Sequence, residues 1–485
     1  MTRPPRIFLY CGALLLMLLL LAFLGSGSRV HDSLQSYKAA LRAKGEKLTF
    51  AELERCRSTN LTDTLTVLSN AVPAFLGASF NPGDLEVMKY VGPGRVQLAW
   101  KRPSPNWTGA ASSNSPPGWE AVAEEIASHQ AALADIRAAL HAPTPNSGPC
   151  TNLMTRFGPN FVMLRSAAQW LTASAFNEIH HAHLEPALQD VEALASMAQL
   201  DREECTLVAQ ATRIAVTDLG LENSWQILQA PGWTDSQLAR LQKAWEPVRP
   251  VEAIEFAFVG ERMYGGEIFA MLHKSGWRKA FPYMGVTAPT KGNWQDFLFN
   301  YVWFPSYRLT SLDEDELFRL KMSEETLTGL RMVEAHQPWK EAKQHIDQPG
   351  VWIRQADTPV GRLRHLGSLS SFPNTQRITT RTVRVETERQ LALAAIALKH
   401  YQLRHGTLPP SLAALTPEFV SAMPYDPMSG KALCYRLKPD GRFLLYSVGE
   451  DGKDDGGDAK PVSGNTYGLW EGRDWVWPEA SDANK

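Results

Sequence analysis

The stretch Leu444–Asp458, LLYSVGEDGKDDGGD, is a short apolar run that breaks into a glycine-rich loop carrying four aspartates. Its first half reads as a strand, and its second half holds the residues that let a backbone turn sharply. Working backwards, Pro439-Asp440-Gly441 is a turn signal between the apolar runs Leu433–Leu437 and Phe443–Val448, so the two runs read as a β-hairpin. Ahead of them, Gln390–Tyr401 (QLALAAIALKHY) reads as a helix with apolar residues nearly all round. It continues to about His405, and Gly406 ends it as a C-terminal glycine commonly does. A helix, a small antiparallel sheet and an acidic loop thus define an α+β module over residues 376–485.

This order of elements resembles the globular part of the type II secretion major pseudopilins. Gly406, Leu408 and Pro409 match that family's G-x-x-P step at the end of its helix. Asp426, Pro427, Gly430 and Tyr435 match its D-P-x-G-x-x-Y segment with an insertion. Ser447, Gly449, Asp451 and Gly452 match its S-x-G-x-D-G loop, the most specific of the three. The resemblance covers Thr387 to about Trp477, and it implies a calcium-binding loop with Asp451 as the first side-chain ligand. Asp458 is the expected second ligand, because the intervening residues let the loop return, and Asp454 or Asp455 is expected to contribute. Calcium takes six to eight oxygens, backbone carbonyls among them. The spacing is not that of an EF-hand, and a solvated acidic turn without an ion is the plain alternative. The peptidase site with Gly and Glu that opens a pseudopilin is not found before Ile7, and the module stands at the far end of the chain from the apolar run. The resemblance therefore implies a borrowed module rather than a pilus subunit. The stretch KAALRAKGEKLTFAEL, Lys38–Leu53, also resembles single-span envelope proteins of planctomycete and verrucomicrobial bacteria.

At the N-terminus, Arg3 and Arg6 precede an apolar run from Ile7 to Leu24, followed by Gly25-Ser26-Gly27-Ser28. At a 1.5 Å rise the run reaches about 27 Å, close to the hydrocarbon thickness of a bilayer. It is long for a cleaved signal peptide, although the small residues after it suit a peptidase. A signal anchor over residues 1–28 is expected, spanning the inner (cytoplasmic) membrane once through residues 7–24. The arginines hold the N-terminus in the cytoplasm and place the body in the periplasm or extracytoplasmic space.

The rest of the composition is that of a globular protein: 44% hydrophobic and 21% charged among 485 residues, with a net charge of −2. Basic residues form no stripe, which argues against a nucleic-acid partner. The five cysteines show no metal-type spacing, and disulfides in an exported body cannot be paired from sequence.

Residues 29–149 read as mixed. Asp32 to about Arg57 carries helical periodicity broken at Lys44-Gly45-Glu46, as a stalk or as the first helices of the body. Val96, Leu98 and Trp100 alternate as in a strand. Residues 103–117 form a breaker-rich loop, Trp119–Leu140 a helix and 141–149 a linker. Asn60 and Asn106 open glycosylation-type tripeptides.

Residues 150–375 read as a helical body. Apolar faces recur at Leu164, Ala167, Ala168, Leu171 and Ala175, then at Leu184, Leu188, Val191, Leu194 and Met197. A third is expected at Leu207, Val208, Ala211, Ile214 and Ala215. Short polar turns between them predict antiparallel hairpins with tetratricopeptide-like packing and no strict repeat. A Pro/aromatic region, Phe281–Tyr307, leads to a helix whose start is loaded with acid at Asp313–Glu316.

Catalytic signatures are absent: no phosphate-binding glycine loop, nucleophile elbow or HExxH. His180, His181 and His183 fall where one helix stops and the next begins, which favours a solvated turn over a metal site. The expectation is a mostly α, membrane-anchored extracytoplasmic binding or scaffold protein with a possible protein partner in the envelope. The alternatives are an accessory component of a type II secretion or pilus-like system, and a periplasmic enzyme without a local motif.

Overall fold

The computed structural model describes residues 29–53, 60–101, 118–141, 161–200, 204–287, 291–373, 375–462 and 468–481. Among the described residues no helix is long and apolar enough to cross a membrane. The run 7–24 lies outside them, as do the loop 103–117 with Asn106 and residues 142–149 of the expected linker.

Helix α1 (29–43) stops where Gly45 takes φ 85°. It lies against the body rather than standing off as a stalk: Leu34, Leu41 and Leu48 pack with Leu320. Helix α2 (Asn60–Ala71) precedes a hairpin of β1 (Met88–Gly92) and β2 (Arg95–Leu98). The alternation read from sequence is that of β2, whose Val96 and Leu98 are buried. The helix expected over Trp119–Leu140 is two, α3 (Trp119–Ser128) and α4 (Gln130–His141), broken at His129. Then come α5 (Phe161–His180), α6 (Leu184–Met197), α7 (Leu207–Leu228), α8 (Asp235–Trp245) and α9 (Pro250–Lys274). The aromatic region forms α10 (Trp277–Met284), α11 (Trp294–Leu298), a π-helical turn over Phe299–Trp303 and α12 (Phe304–Thr310). Helices α13 (Leu312–Glu334), α14 (Trp339–Ala356), α15 (Pro359–Arg364) and α16 (Leu366–Ser371) complete the body before α17 (Thr375–His405).

Helices α5, α6 and α7 pack on one another in sequence order. The small residues expected to allow close approach, Ala167, Ala168, Ala173 and Ala175, are fully buried. The face expected on α7 is a correction. Val208 is 61% exposed, and Ala211 and Ala215 are only half-buried. The buried face instead carries Gln210, Arg213, Thr217, Asn223, Ser224 and Gln226. Buried polar groups persist where each finds a partner. Arg213 Nε donates to the Ala198 carbonyl at 2.8 Å, Asn223 to Thr172 Oγ1 at 3.0 Å, and Trp245 Nε1 to Ser224 Oγ at 2.8 Å. Apolar periodicity is out of phase on a helix whose inner face is hydrogen-bonded.

Every residue of α17 from Val385 to Leu398 is buried. One set (Val383, Val385, Ala392, Leu393, Ile396) belongs to the main core of the body. Another (Leu391, Ala394, Ala395, Ala397, Leu398) packs with Leu412, Leu415, Phe419, Val420, Leu433 and Leu445 in a smaller core wholly within 376–485. The module therefore keeps its own core while lending its helix to the body. Mid-helix, Arg389 donates through Nε and Nη2 to the two oxygens of Glu386 at 3.0 and 2.7 Å, and Nη1 reaches the Trp245 carbonyl at 3.3 Å.

Past Gly406 (φ 72°) come β3 (Tyr425–Asp426), β4 (Lys431–Ala432), β5 (Cys434–Leu437), β6 (Phe443–Ser447), β7 (Trp475–Val476) and β8 (Glu479–Ser481). Strands β5 and β6 form the expected hairpin, Leu437 opposite Phe443 and Cys434 opposite Tyr446, and β7 adds antiparallel to β6. Local pattern carries no sign of β8 crossing to the first hairpin, where it runs parallel to β2 with Val96 opposite Ala480. Trp225, in α7, holds this junction: it packs with Val96 and Leu98, and its Nε1 donates to the Pro478 carbonyl at 3.0 Å.

Trp225→Ala should cost about 3–5 kcal/mol, as large aromatic truncations in cores do. Trp225→Phe should cost about 1–3 kcal/mol, because it keeps a ring but leaves the Pro478 carbonyl without its donor. Denaturant titration of both variants checks this, and a midpoint unmoved in Trp225→Ala would contradict the junction.

Candidate functional site

The acidic loop is built on two carboxylates outside the expected ligand set. Asp426, 1% exposed, accepts hydrogen bonds from Met428 N (3.0 Å), Ser429 Oγ (3.0 Å), Ser447 Oγ (2.6 Å) and Val448 N (3.1 Å). It latches the D-P segment to the start of the S-x-G loop. Burial pushes its carboxyl above the usual range, opposed by the hydrogen bonds it accepts. At Gly449 (φ 71°) an added Cβ would lie 2.4 Å from the Arg473 carbonyl oxygen, so only glycine fits. Beyond it, the amides of Asp455, Gly457 and Asp458 donate to Asp474, fully buried, at 3.3, 2.6 and 3.0 Å.

The four expected ligands are used locally. Asp451 accepts from Lys453 N at 2.9 Å, and Asp454 from Tyr446 OH at 2.8 Å and Gly456 N at 2.9 Å. Asp458 accepts from Lys460 N at 3.1 Å and faces Arg473 at 3.6 Å, and Asp455 is exposed. No three of these carboxylates come within 4.8 Å of one another. Aspartate readily bonds a backbone N–H two residues on, and three of the four do so here.

The histidines occupy a turn. Helix α5 ends at His180, Ala182 takes φ 61° and α6 begins at Leu184. His180 contacts the Trp100 carbonyl through Nδ1 at 3.0 Å and stacks on Trp119, while His183 pairs with Glu178 at 3.0 Å. The acid at the start of α13 divides its work. Asp315 is fully buried and accepts from Tyr307 OH (2.6 Å) and the amides of Gly367 (2.7 Å) and Ser368 (3.1 Å). Asp313 and Glu316 meet His273 Nε2 at 3.3 and 3.8 Å, the one such trio of metal-ligand types among the described residues. Hydrogen bonds that His273 donates to Asp313 and then to Glu316 push it up to about 9. Lys38 also pairs with Glu316, and His31 with Asp313 at 2.9 Å. Positive partners already satisfy this cluster.

Two clefts bring together groups that local motifs do not reveal. The first, about 720 Å³, lies on the seam between body and module. Glu246, Arg249 and Glu334 line it from the body, Glu386 and Arg389 from α17, and Val420–Tyr425 from the module. His336 sits at its edge with φ 56°, a conformation rare outside glycine, and its ring stacks on Tyr425 with centroids 3.8 Å apart. The turn bearing it is pinned to the module: Trp339 N donates to the Met428 carbonyl at 3.1 Å, and at Gly430 an added Cβ would lie 2.2 Å from the His336 oxygen.

The second cleft, about 580 Å³, opens between α5 and the outward side of α7 and is lined by Asp218, Glu222 and Arg381. Arg381 Nη2 reaches Asp218 at 3.1 Å, Arg384 Nη2 the same oxygen at 3.6 Å, and Arg384 Nε reaches Glu388 at 3.3 Å. Burial, then the charge of Asp218, pushes Glu222 up to about 8 and Glu388 well above the carboxylate range. Two carboxyls raised by burial thus flank the carboxylate that Arg381 and Arg384 reach. The sequence signal was faint: acid four residues apart on α7, and Glu388 amid an apolar helix.

No family model, curated protein or solved structure matches this chain.

The carboxyl cluster fixes a pH dependence. A carboxyl whose folded pKa is raised binds its proton more tightly folded than unfolded, so its contribution is present at low pH and lost as pH rises. For Glu222 the window runs from the unfolded value near 4.5 to about 8. Asp190, fully buried and pushed up to about 6 by burial against the pull of Arg137, acts in the same direction. Unfolding free energy should therefore fall as pH rises from about 5 to about 8, with Glu222→Gln reducing the slope by up to about one proton. Denaturant titrations across this range check it, and an unchanged slope in Glu222→Gln would exclude the assignment.

Proposed function

We propose that this chain is a membrane-anchored, extracytoplasmic binding protein whose ligand occupies the seam cleft. One observation carries the reading: body and C-terminal module wall the same cleft of about 720 Å³ with charged and aromatic groups. Clefts at the junction of two packed units are favoured ligand sites, and strained backbone such as that of His336 concentrates at them. Residues 7–24 supply the anchor in this reading. The disulfide-bonded state of Cys205 supports an oxidising compartment outside the cytoplasm.

The module is read as pseudopilin-like. A long helix closed by Gly406, the β5–β6–β7 sheet and the bond from Ser447 to Asp426 support that reading. Calcium, held by Asp451 and Asp458 with Asp454 or Asp455, would stabilise the acidic loop. The donors are hard oxygens, which suit calcium. The backbone at Gly449, Gly452, Gly456 and Gly457 is already in the left-handed region. The four carboxylates would have to converge further than they do here.

A second reading, a hydrolytic enzyme, draws on the second cleft. Glu222, its carboxyl pushed up to about 8 by burial and by the charge of Asp218 beside it, is the kind of tuned carboxyl that serves acid–base chemistry.

Met423 is 45% exposed and lines the seam cleft. If the cleft holds the ligand, native mass spectrometry of protein purified from its own membranes should show a bound small molecule. Met423→Trp, which fills the mouth, should lose it roughly tenfold, about 1.4 kcal/mol. Equal occupancy in both proteins, or none in either, would count against the seam cleft.

Calcium should raise the melting temperature of the full chain relative to chelator, because a ligand that binds only the folded state stabilises it. Asp451→Ala should remove that rise. Identical melting in calcium and chelator would dismiss the metal.

A further inference from the structure

Among the described residues, the aromatic region has two apolar sides, of which one is packed and the other exposed. Ten of the 34 residues from Trp277 to Thr310 are aromatic, against 9% for the whole chain. Trp277, Phe281, Phe304 and Tyr307 turn inward and form a separate core with Ile268, Phe269 and Leu272 of α9. Trp294 (70% exposed), Phe297 (59%) and Tyr301 (72%) turn outward, with Val302 and Leu309 beside them. Val360 and Leu363 of α15 are exposed as well. Soluble surfaces scatter such residues singly, whereas a contiguous patch marks a contact surface.

The start of α1 identifies what covers it. Val30, Trp303, Ser306, Val360 and Leu363 line one cleft, so the first turn of α1 lies against the aromatic segment. His31 fixes it there through Asp313, directly after α12. Only five residues stand between Leu24, the end of the apolar run, and Val30. Fully extended, the six steps from one to the other span about 20 Å. A chain that leaves the bilayer at Leu24 therefore holds this patch within reach of the same bilayer's surface. The chemistry agrees. Trp and Tyr are enriched where hydrocarbon meets headgroup, and Trp294 and Tyr301 are the most exposed aromatics of the patch. The segment from Trp277 to Thr310 carries Arg278, Lys279, Lys291 and Arg308 against Asp296 alone, and Arg278 and Asp296 pair with each other at 2.6 Å. Lys279, Lys291 and Arg308 remain exposed to meet anionic headgroups.

We infer that the face formed by α11, α12 and α15 lies in the headgroup region of the membrane that residues 7–24 span, and binds anionic lipid there. The body is seated on the bilayer rather than hung from it by a tether, and the seating fixes which way its clefts face. This rests on the anchor reading above, and the experiment separates the two.

The test uses the full chain in vesicles of phosphatidylcholine, with and without phosphatidylglycerol. The photoreactive residue p-benzoylphenylalanine replaces Tyr301 in one sample. In another it replaces Leu403, an exposed position at the far end of α17. Irradiation should give lipid adducts at 301 several-fold above those at 403, and more of them with phosphatidylglycerol present. Lipid adducts at 301 no higher than at 403 would overturn the seating, and so would adducts to a second copy or to another protein. Alkaline carbonate extraction of the same vesicles reports on the anchor independently. A chain that stays in the pellet without lipid adducts at 301 keeps the anchor and loses the seating, whereas a chain released by carbonate loses both. In a third sample, Trp294→Asp with Phe297→Asp should remain in the carbonate pellet while the adducts at 301 fall several-fold. Adducts undiminished in that variant would also overturn the seating.

Discussion

The structure depends on burying α17 on all sides at once. A helix in contact with solvent needs one apolar stripe, but α17 is enclosed from Val385 to Leu398, so polar residues in that span must find partners inside the protein. Glu386 and Arg389 do this for each other, and Arg389 also satisfies the last turn of α8 through the Trp245 carbonyl. Breaking such a pair leaves an uncompensated buried charge, typically about 3–5 kcal/mol. Near the end of the helix, Lys399 performs a similar service for α7, its ammonium donating to the Leu228 and Ala230 carbonyls. Burial holds that ammonium down at about 8. The helix is thus bonded to its neighbours at the points where their own backbones run out of partners.

The same logic explains α7. Its inner face is a row of amides, hydroxyls and a guanidinium, most of them tied to a carbonyl or a side chain of an adjoining segment, with Thr217 bonded back to the Arg213 carbonyl of α7 itself. Gln226 is the clearest instance: its amide donates to the Val87 carbonyl and its oxygen accepts from Ala99 N at 3.2 Å, so one side chain holds both ends of the first hairpin. Hydrogen bonds of this kind add modest net stability but fix position, because few arrangements satisfy them all. The outward side of α7 then carries the small residues Ala211 and Ala215 beside Asp218 and Glu222, and with α5 it forms the second cleft.

Where the chain speaks through local pattern, the sequence was readable. The helices of the body, the end of α17 at Gly406, the β5–β6 hairpin and the histidine turn all follow from periodicity and breakers within a dozen residues. What escaped reading depends on residues far apart in the chain. The phase of α7 was misjudged because polar residues face inward, which no apolar count detects. Asp474 stands in no local motif, although it gathers the amides of the acidic loop. Glu222 and Glu388 lie on different helices, and the burial that raises both carboxyls exists only after those helices meet. The seam cleft likewise has walls from three parts of the chain, none of which carries a motif.

The parallel pairing of β8 with β2 sets an order of events during synthesis. Val96 faces Ala480, so the first hairpin takes its third strand from residues made long after it. Chains generally fold from the N-terminus as they emerge. Here the first hairpin lacks its third strand, and Trp225 its carbonyl partner at Pro478, until β8 has been made. An isolated two-stranded hairpin is marginal in water. The nascent chain therefore stays open at that edge while the whole stretch between β2 and β8 is produced. Closure of this sheet is a record, written in the fold, that β8 has arrived.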